Sequence, residues 1–498
     1  MGQYFHDMLP AEEDVQLKFI PTIPEYLEWI EKKWGDRPAE SDTVVTYTYK
    51  QMSARIARRR AYLNALELKK GDKVAIHERS SIDAIEMFLA ATSAGYVAIL
   101  LPAQLPASAV VGSCAKFGVS VLAVRDEFKE LAAGAPCKVI PSSAMADEEA
   151  PAAKVSKDDA AAIFFTGGTT GAPKGAILPH RALMRGALNG CYAPGSVLGE
   201  GHRYICLLPL SHIFGLIRST LSVFFTGALW FSAEDMKATI GKFPVIKPTD
   251  LVLVPGLCEI LYGLTKMYGP QFLGGRLKMI ISGAANVPPR LISEFDKMGV
   301  ALLAGYGMTE GANFTSGNAD VKTHPTSVGK IYPEQEVKLV DGEIWYRGDN
   351  VFLGYYGEPE KTKETLTEDG WLKTGDLGRF DEDGFLYIVG RIKNLIILSN
   401  GENVSPESIE EPFYKCGALK DCLVYEDNKD GEPCIAIQIL PQMPAFEGKS
   451  WEEVEAFFNK LVDDVNATLP TTHRITKVTV RKEDFKRTGS LKVSRNQN

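Results

Sequence analysis

The chain has 498 residues, of which 45% are hydrophobic and 24% charged, and its formal net charge is −8. That length exceeds what one hydrophobic core organises, so several subdomains with a smaller unit are expected. The composition excludes a disordered chain, and the acidic balance, with a pI of about 5.6, excludes a general nucleic-acid surface, which needs a basic field.

The amino-terminal residues MGQYFHDMLPAEEDVQ carry acidic side chains and lack the basic and apolar regions of a signal peptide, and His6 breaks the myristoylation pattern after Gly2. From about 50 to 310, amphipathic helical runs alternate with short apolar runs, the pattern of helices covering a mostly parallel sheet. Helices are expected at 49–66, 82–94, 182–190 and 288–298. Strands buried on both faces are expected at 73–76, 97–101, 121–124, 205–208, 251–254, 279–281 and 301–303. The longest apolar stretch, LSVFFTGALWF (221–231), is too short for a bilayer and reads as buried helix and strand. No membrane span is expected.

Beyond about 320 the texture changes to short strands with Gly and Asp turns, which suits an antiparallel or barrel-like subdomain. A small α+β unit should follow, with a helix at 406–415, a hairpin around Asn428–Gly431 and a long helix at 451–469. The expected division is a large α/β domain over 1–390, a hinge at 391–394 and a small mobile α+β domain over 395–498. The eight cysteines (114, 137, 191, 206, 258, 416, 422 and 434) show no CxxC pair or metal-finger spacing, so they read as reduced thiols of a cytoplasmic protein without structural zinc.

The segment Ile163–Gly175 starts as an apolar strand and becomes a loop dense in Gly and Thr that ends in Lys174. Glycines let backbone N–H groups approach phosphate oxygens, hydroxyls add donors, and the lysine supplies a cation. Lys174 is followed by Gly175, so this is not a Walker A loop. On composition alone a flexible surface loop is the alternative.

The run FFTGGTTGAPKG resembles the phosphate loop of the adenylate-forming superfamily, which includes acyl-CoA synthetases, adenylation domains and luciferases. That family usually has Ser where Gly167 stands. Further stretches match in chain order: LPLSHIFG (208–215), SGAANVPP (282–289), GYGMTEG (305–311), GEIWYRGDNVFLGYYGEPEKT (342–362), WLKTGDLG (371–378), FLYIVGRIKNLIILSNGENVSPESIE (385–410) and KRTGSLKVSR (486–495). The resemblance covers the chain from about Tyr47 onward.

The resemblance implies a site. Thr166, Gly168, Thr169, Thr170 and Lys174 would cradle the phosphates of ATP. Tyr306 would stack on adenine, Thr309 would contact the α-phosphate, and Glu310 would hold Mg2+, which commonly needs only one protein carboxylate. Asp376 would accept the ribose hydroxyls, and Arg391 would reach ribose and phosphate. Lys393 stands at the family's hinge position, and Gly401 in Ser399–Asn403 would line the thiol tunnel. Lys492 would be the catalytic cation of the first step, with Leu491 where the family usually has Gly and with Lys486 and Arg487 as alternatives. His212, together with Ser282, Gly283, Ala284, Gly305, Gly307 and Met308, would form the acid pocket. No aspartate occurs in LPLSHIFGL to pair a substrate ammonium, which favours a plain carboxylic acid.

The activity implied is ATP-dependent formation of an acyl-adenylate with release of pyrophosphate, followed by acyl transfer to coenzyme A. Loading of a carrier protein's phosphopantetheine is the second reading. A non-catalytic nucleotide-binding protein is the third, and an oxygen-using luciferase type shares the fold.

Overall fold

A computed structural model of the protein describes residues 17–166, 174–191, 201–398, 402–414, 416–429, 432–487, 493 and 495. Among these, two large sheets carry most of the chain. One has nine strands in the order Lys330–Ile331, Asn313–Asn318, Ala301–Met308, Met279–Ser282, Asp250–Leu253, Arg203–Ile205, Leu229–Phe231, Pro38–Ser41, Thr46–Thr48. Its six middle strands are parallel and its outer pairs antiparallel. The other has seven strands, with parallel pairing through Lys73–His77, Val97–Leu101, Val119–Val124 and Ala160–Thr166. Both bury continuous apolar runs such as Val97–Leu101, as parallel strands covered on both faces should.

Helices pack on these sheets where caps and periodicity direct them. Tyr49–Asn64 starts with a reciprocal capping box between Thr48 and Gln51, and it buries Tyr49, Met52, Ile56 and Leu63. The run 221–231 becomes the helical turn Ser222–Thr226 and the strand Leu229–Phe231, with Gly227 in the left-handed region between them (φ 73°). One expected strand is shifted. Arg203–Ile205 replaces 205–208, because Leu207 and Leu208 are buried in the loop that leads to His212 rather than paired in the sheet.

Beyond residue 330 a four-stranded antiparallel sheet forms in the order Glu336–Val340, Glu343–Arg347, Leu372–Phe380, Leu386–Arg391. The same stretch contributes Lys330–Ile331 to the edge of the nine-stranded sheet and Gly354–Tyr355 to the edge of the seven-stranded one. The three sheets are thereby laced together around one junction. After Arg391 the chain makes a single 3-10 turn, Ile392–Asn394.

The carboxyl-terminal region is a three-stranded sheet, Leu419–Lys429, Glu432–Pro441 and Ile475–Val480, packed by the helices Pro406–Tyr414 and Trp451–Asn466. The longer helix is capped by a Ser450–Glu453 box and buries Val454, Phe458, Val462 and Val465, the i, i+4 stripe that its sequence spells. These join Ile435, Ile437, Ile439 and Phe413 in a core separate from the large one. No helix among the described residues is long and apolar enough to cross a membrane.

Candidate active site

The strand Ala160–Thr166 and the strand Lys174–Pro179 are antiparallel neighbours in which Thr166 faces Lys174. They hold the two ends of the Gly/Thr loop side by side. Gly168, Thr169 and Thr170 lie outside the described residues. Lys174 sits 4.8 Å from the ring centroid of Tyr355, whose strand pairs with the Lys174–Pro179 strand. The Tyr355 hydroxyl donates to Oε1 of Glu310 at 2.7 Å. The loop lysine, an aromatic ring and the Glu310 carboxylate therefore form one chain of contacts.

Thr309 and Glu310 enter this junction from the 3-10 turn that ends the strand Ala301–Met308. Just beyond the turn the backbone is left-handed at Ala312 (φ 45°) and Asn313 (φ 92°), and a Cβ on Gly311 would stand 1.5 Å from the Tyr346 hydroxyl. The backbone is fastened by Phe352, which donates its N–H to the Glu310 carbonyl at 2.9 Å. Burial raises the Glu310 pKa, and the bond from Tyr355 and the charges of Lys174 and Arg391 offset this only in part. A carboxylate with that deficit is suited to one Mg2+ whose other ligands come from phosphate and water. Among the described residues no cluster of three or more His, Cys, Asp or Glu side chains could hold a metal by itself.

A second set of contacts is tied across seventy residues of sequence. Tyr306 donates its hydroxyl to Asp376 Oδ2 at 2.7 Å, while Arg391 Nε donates to Asp376 Oδ1. Asp376 and Arg391 face each other in register on neighbouring strands. Thr374 fixes the turn, since its hydroxyl accepts the Asp376 N–H at 3.0 Å and donates to the Ile344 carbonyl at 2.7 Å. Gly375 is left-handed (φ 70°) and gives its N–H to Glu343 Oε1 at 2.8 Å. Each Asp376 oxygen already accepts one protein bond, and each keeps acceptor capacity for a second. Burial, then the Asp376 charge, pushes the Tyr306 hydroxyl well above its usual pKa, so it stays a donor. Tyr306 is 9% exposed and packs with Ile344 and Leu386.

Burial opposes the Arg391 charge, but Asp376 more than compensates and its pKa is raised. Two residues on, Lys393 has its pKa lowered by desolvation and then by the Arg391 cation. The small region meets the large one here. Ser405 Oγ donates to the Val389 carbonyl at 2.7 Å, and Asn394 Nδ2 donates to Glu407 Oε1 at 2.6 Å.

His212 caps the helical turn Ile213–Leu216, its Nδ1 accepting the Phe214 N–H at 3.2 Å. That bond leaves the ring proton to Nε2. Ser282 is fully buried at the carboxyl end of its strand, beside Cys258. Gly283 follows it, and Ala284 is left-handed (φ 67°), an unusual conformation for a residue with a Cβ. Gly305 and Gly307 flank Tyr306, with a register shift between Tyr306 and Gly307 that precedes Met308. Gly401 and Lys492 lie outside the described residues.

Sequence reasoning missed Tyr355, Thr374 and Glu343, although the first stands in a quoted motif and the second belongs to the Thr-Gly-Asp turn. It also missed the anchors of the tail. Arg495 bonds both oxygens of Glu410 at 2.8 and 2.7 Å and the Val424 carbonyl at 2.8 Å. Arg487 pairs with Asp421 and Asp484 at 3.0 and 2.9 Å and bridges Val493.

The AMP-binding enzyme family matches residues 27–356, and the AMP-binding enzyme C-terminal domain matches residues 393–498. The chain is 30% identical over 453 residues to feruloyl-CoA synthase of Amycolatopsis sp, covering 85% of this chain and 91% of the relative. It is 31% identical over 355 residues to the peroxisomal long chain acyl-CoA synthetase 6 of Arabidopsis thaliana, a match spanning 60% of this chain and only half of that protein. Among solved structures, ATP-bound MatB from Rhodopseudomonas palustris superposes with a TM-score of 0.82 at 25% identity, covering 95% of this chain and 98% of that one. The o-succinylbenzoate CoA synthetase of Bacillus subtilis, in complex with its acyl-adenylate intermediate, shares the fold with a TM-score of 0.78 at 24% identity over 95% of this chain and 97% of that one. With its phosphate-loop strands, its Thr309–Glu310 turn and its Asp376–Arg391 pair all in one junction, the chain belongs to the AMP-binding enzyme family.

Proposed function

We propose that this protein is an AMP-forming acid–CoA ligase, which activates a carboxylic acid as its acyl-adenylate and then transfers the acyl group to coenzyme A. The observation that carries the reading is the convergence of Lys174, Glu310, Asp376 and Arg391, residues spread over more than two hundred positions, on one junction between three sheets.

In the first half-reaction a carboxylate attacks the α-phosphate of ATP, so two anions must meet. Positioning and charge neutralisation are the means, and no covalent nucleophile is required. Lys174 and the loop donors serve the phosphates, and Thr309 the α-phosphate. Asp376 accepts from the ribose, with Tyr306 and Arg391 holding its carboxylate in place. Glu310 would hold Mg2+, which supplies positive charge to the phosphates when bound. Lys492 is the cation at the reacting centre. In the second half-reaction the small region, 395–498, turns about the 391–394 hinge at Lys393, removes Lys492 and brings the Gly401 loop to the thiol. His212, Ser282, Gly283, Ala284, Gly305, Gly307 and Met308 bound the acid. The reading includes a cytoplasmic location, supported by eight cysteines that are all free thiols.

The test is pyrophosphate release from ATP by the full chain over short, medium, branched, aromatic and dicarboxylic acids, with and without coenzyme A. Acid-dependent release with a thioester product is expected. Stimulation by amino acids alone would overturn the pocket reading. Release without any thioester, unless a carrier protein is added, would replace coenzyme A by phosphopantetheine.

A further inference from the structure

The helical run that His212 caps contains a buried cation which no described residue neutralises. Arg218 lies in the π-helical turn Ile217–Leu221, which continues directly from Ile213–Leu216. Such turns occur often at functional sites. Arg218 is only 3% exposed, and its Nη2 has no hydrogen-bond partner. Among the described residues no carboxylate lies within ion-pair distance. Asp250, which shares its buried surroundings, accepts at Oδ2 from the Thr249 hydroxyl at 2.5 Å, and the same oxygen bonds His202 Nδ1 at 2.8 Å.

The place of this cation connects it to the acid pocket. Its Cδ packs against Gly190, where a Cβ would come within 2.9 Å. The buried Tyr204 hydroxyl bonds the guanidinium without neutralising it, and the buried Tyr332 and Cys191 feel its charge. The Tyr332 hydroxyl in turn lies over Gly317, 2.3 Å from where a Cβ would stand. Gly317 faces Gly305 in register across the neighbouring strand, and Gly305 belongs to the pocket read from the sequence. Phe214, whose N–H bonds His212, is four residues before Arg218 and lies on the same side of the helical run.

A guanidinium cannot shed its proton, and a buried charge without a partner is a state that folded proteins avoid. Its planar fork of donors fits a carboxylate. An acid with an apolar tail would lay methylene groups against the charge and leave it uncompensated. We propose that Arg218 receives a second carboxylate at the inner end of the acid pocket, so that the protein's substrate is a dicarboxylic acid, an inference that rests on the ligase reading above. The reacting carboxylate then faces the adenylation centre while the distal one completes the ion pair.

Each dicarboxylic acid, aliphatic or aromatic, is compared with the monocarboxylic acid of the same length, the readout being pyrophosphate release by the full chain. The wild type should favour at least one dicarboxylic acid by about tenfold or more in kcat/KM. Arg218→Met should reverse that preference, and Arg218→Lys should keep part of it. If no acid of either kind releases pyrophosphate, the ligase reading itself fails. If monocarboxylic acids match or exceed every dicarboxylic one, or Arg218→Met leaves the preference unchanged, only the present inference falls. A preference for hydroxylated acids without one for dicarboxylic acids also overturns it. Thermal melting without ligand gives a second check. Arg218→Met should melt no lower than the wild type, because it removes an unpaired charge, whereas a marked fall would make Arg218 a structural element.

Discussion

Glu310 and Glu410 are both buried carboxylates, and burial raises the pKa of each. Their surroundings differ. Glu310 takes a bond from a neutral tyrosine hydroxyl, with the Lys174 ammonium 4.8 Å from that ring's centroid. Glu410 is met directly by Arg495, and it also accepts the Val424 N–H at 2.7 Å. Among the described residues no cation meets the carboxylate directly in the first region, and in the second a guanidinium does, although burial still outweighs that pairing. Arg218 follows the first pattern with the opposite sign. A buried charge without a direct counter-charge is suited to a ligand, whereas one paired within the chain fastens distant segments. Changes in the first region should therefore alter kinetics with little effect on melting, and changes in the second should alter stability.

The largest effect is expected at Lys492. One cation at about 4 Å and an effective dielectric near 20 contributes roughly 4 kcal/mol, or about a thousandfold in rate. Lys492→Ala should lose adenylation by that factor, yet still convert supplied acyl-adenylate and coenzyme A to thioester. Loss of both steps would place the working cation elsewhere in the tail. Arg487 is not a neutral control for this experiment, because it is engaged with Asp421 and Asp484.

Next comes the pH dependence of the second region. Burial pushes Glu410 up to about 7 in the fold, against a reference of 4.5. A carboxyl group with a raised folded pKa binds its proton more tightly when folded. Its contribution to stability is therefore full below about 4.5 and lost as pH rises through about 7. Over that window the wild type should lose on the order of 3 kcal/mol relative to Glu410→Gln, which does not titrate. Denaturant melts of both proteins at several pH values check this. A difference that shrinks with rising pH would mean that Arg495 dominates and the group stays ionised.

Asp376→Ala removes the carboxylate that joins Tyr306 and Arg391 and should lower kcat/KM for ATP by about a hundredfold. That corresponds to two charge-assisted bonds of roughly 1.5 kcal/mol each. Steady-state kinetics with ATP as the varied substrate decide it, and unchanged values in a folded variant would remove Asp376 from the ribose site. The smallest effect is expected at the hinge. Lys393→Pro fixes φ and should slow thioester formation by about tenfold while sparing adenylation. Equal slowing of both steps, measured separately, would count against rotation about this turn.

Much of the fold was legible because burial on both faces leaves a continuous apolar run, as at Val97–Leu101, and because an amphipathic run announces a helix, as it does for Trp451–Asn466. The misplacement at Arg203–Ile205 has the same root, since an apolar run reports burial and not strand pairing. Lys174, Thr309, Glu310, Asp376 and Arg391 stand in motifs legible in the sequence, and the structure brings them to one junction. The part of Tyr355 was not legible, because its role depends on an edge strand of two residues pairing with a segment nearly two hundred positions earlier.

The sequence by itself determined the family and the order of the motifs, since both are carried by local residue patterns such as the Gly/Thr loop and the Thr-Gly-Asp turn. Only the tertiary structure decided which charges find partners. Whether Asp376 meets Tyr306 and Arg391, whether Glu410 receives Arg495, and whether the Arg218 Nη2 lacks a partner depend on strand register and helix packing between distant segments. The cost of a buried charge is set by its neighbours in space, and neighbours along the chain do not reveal them.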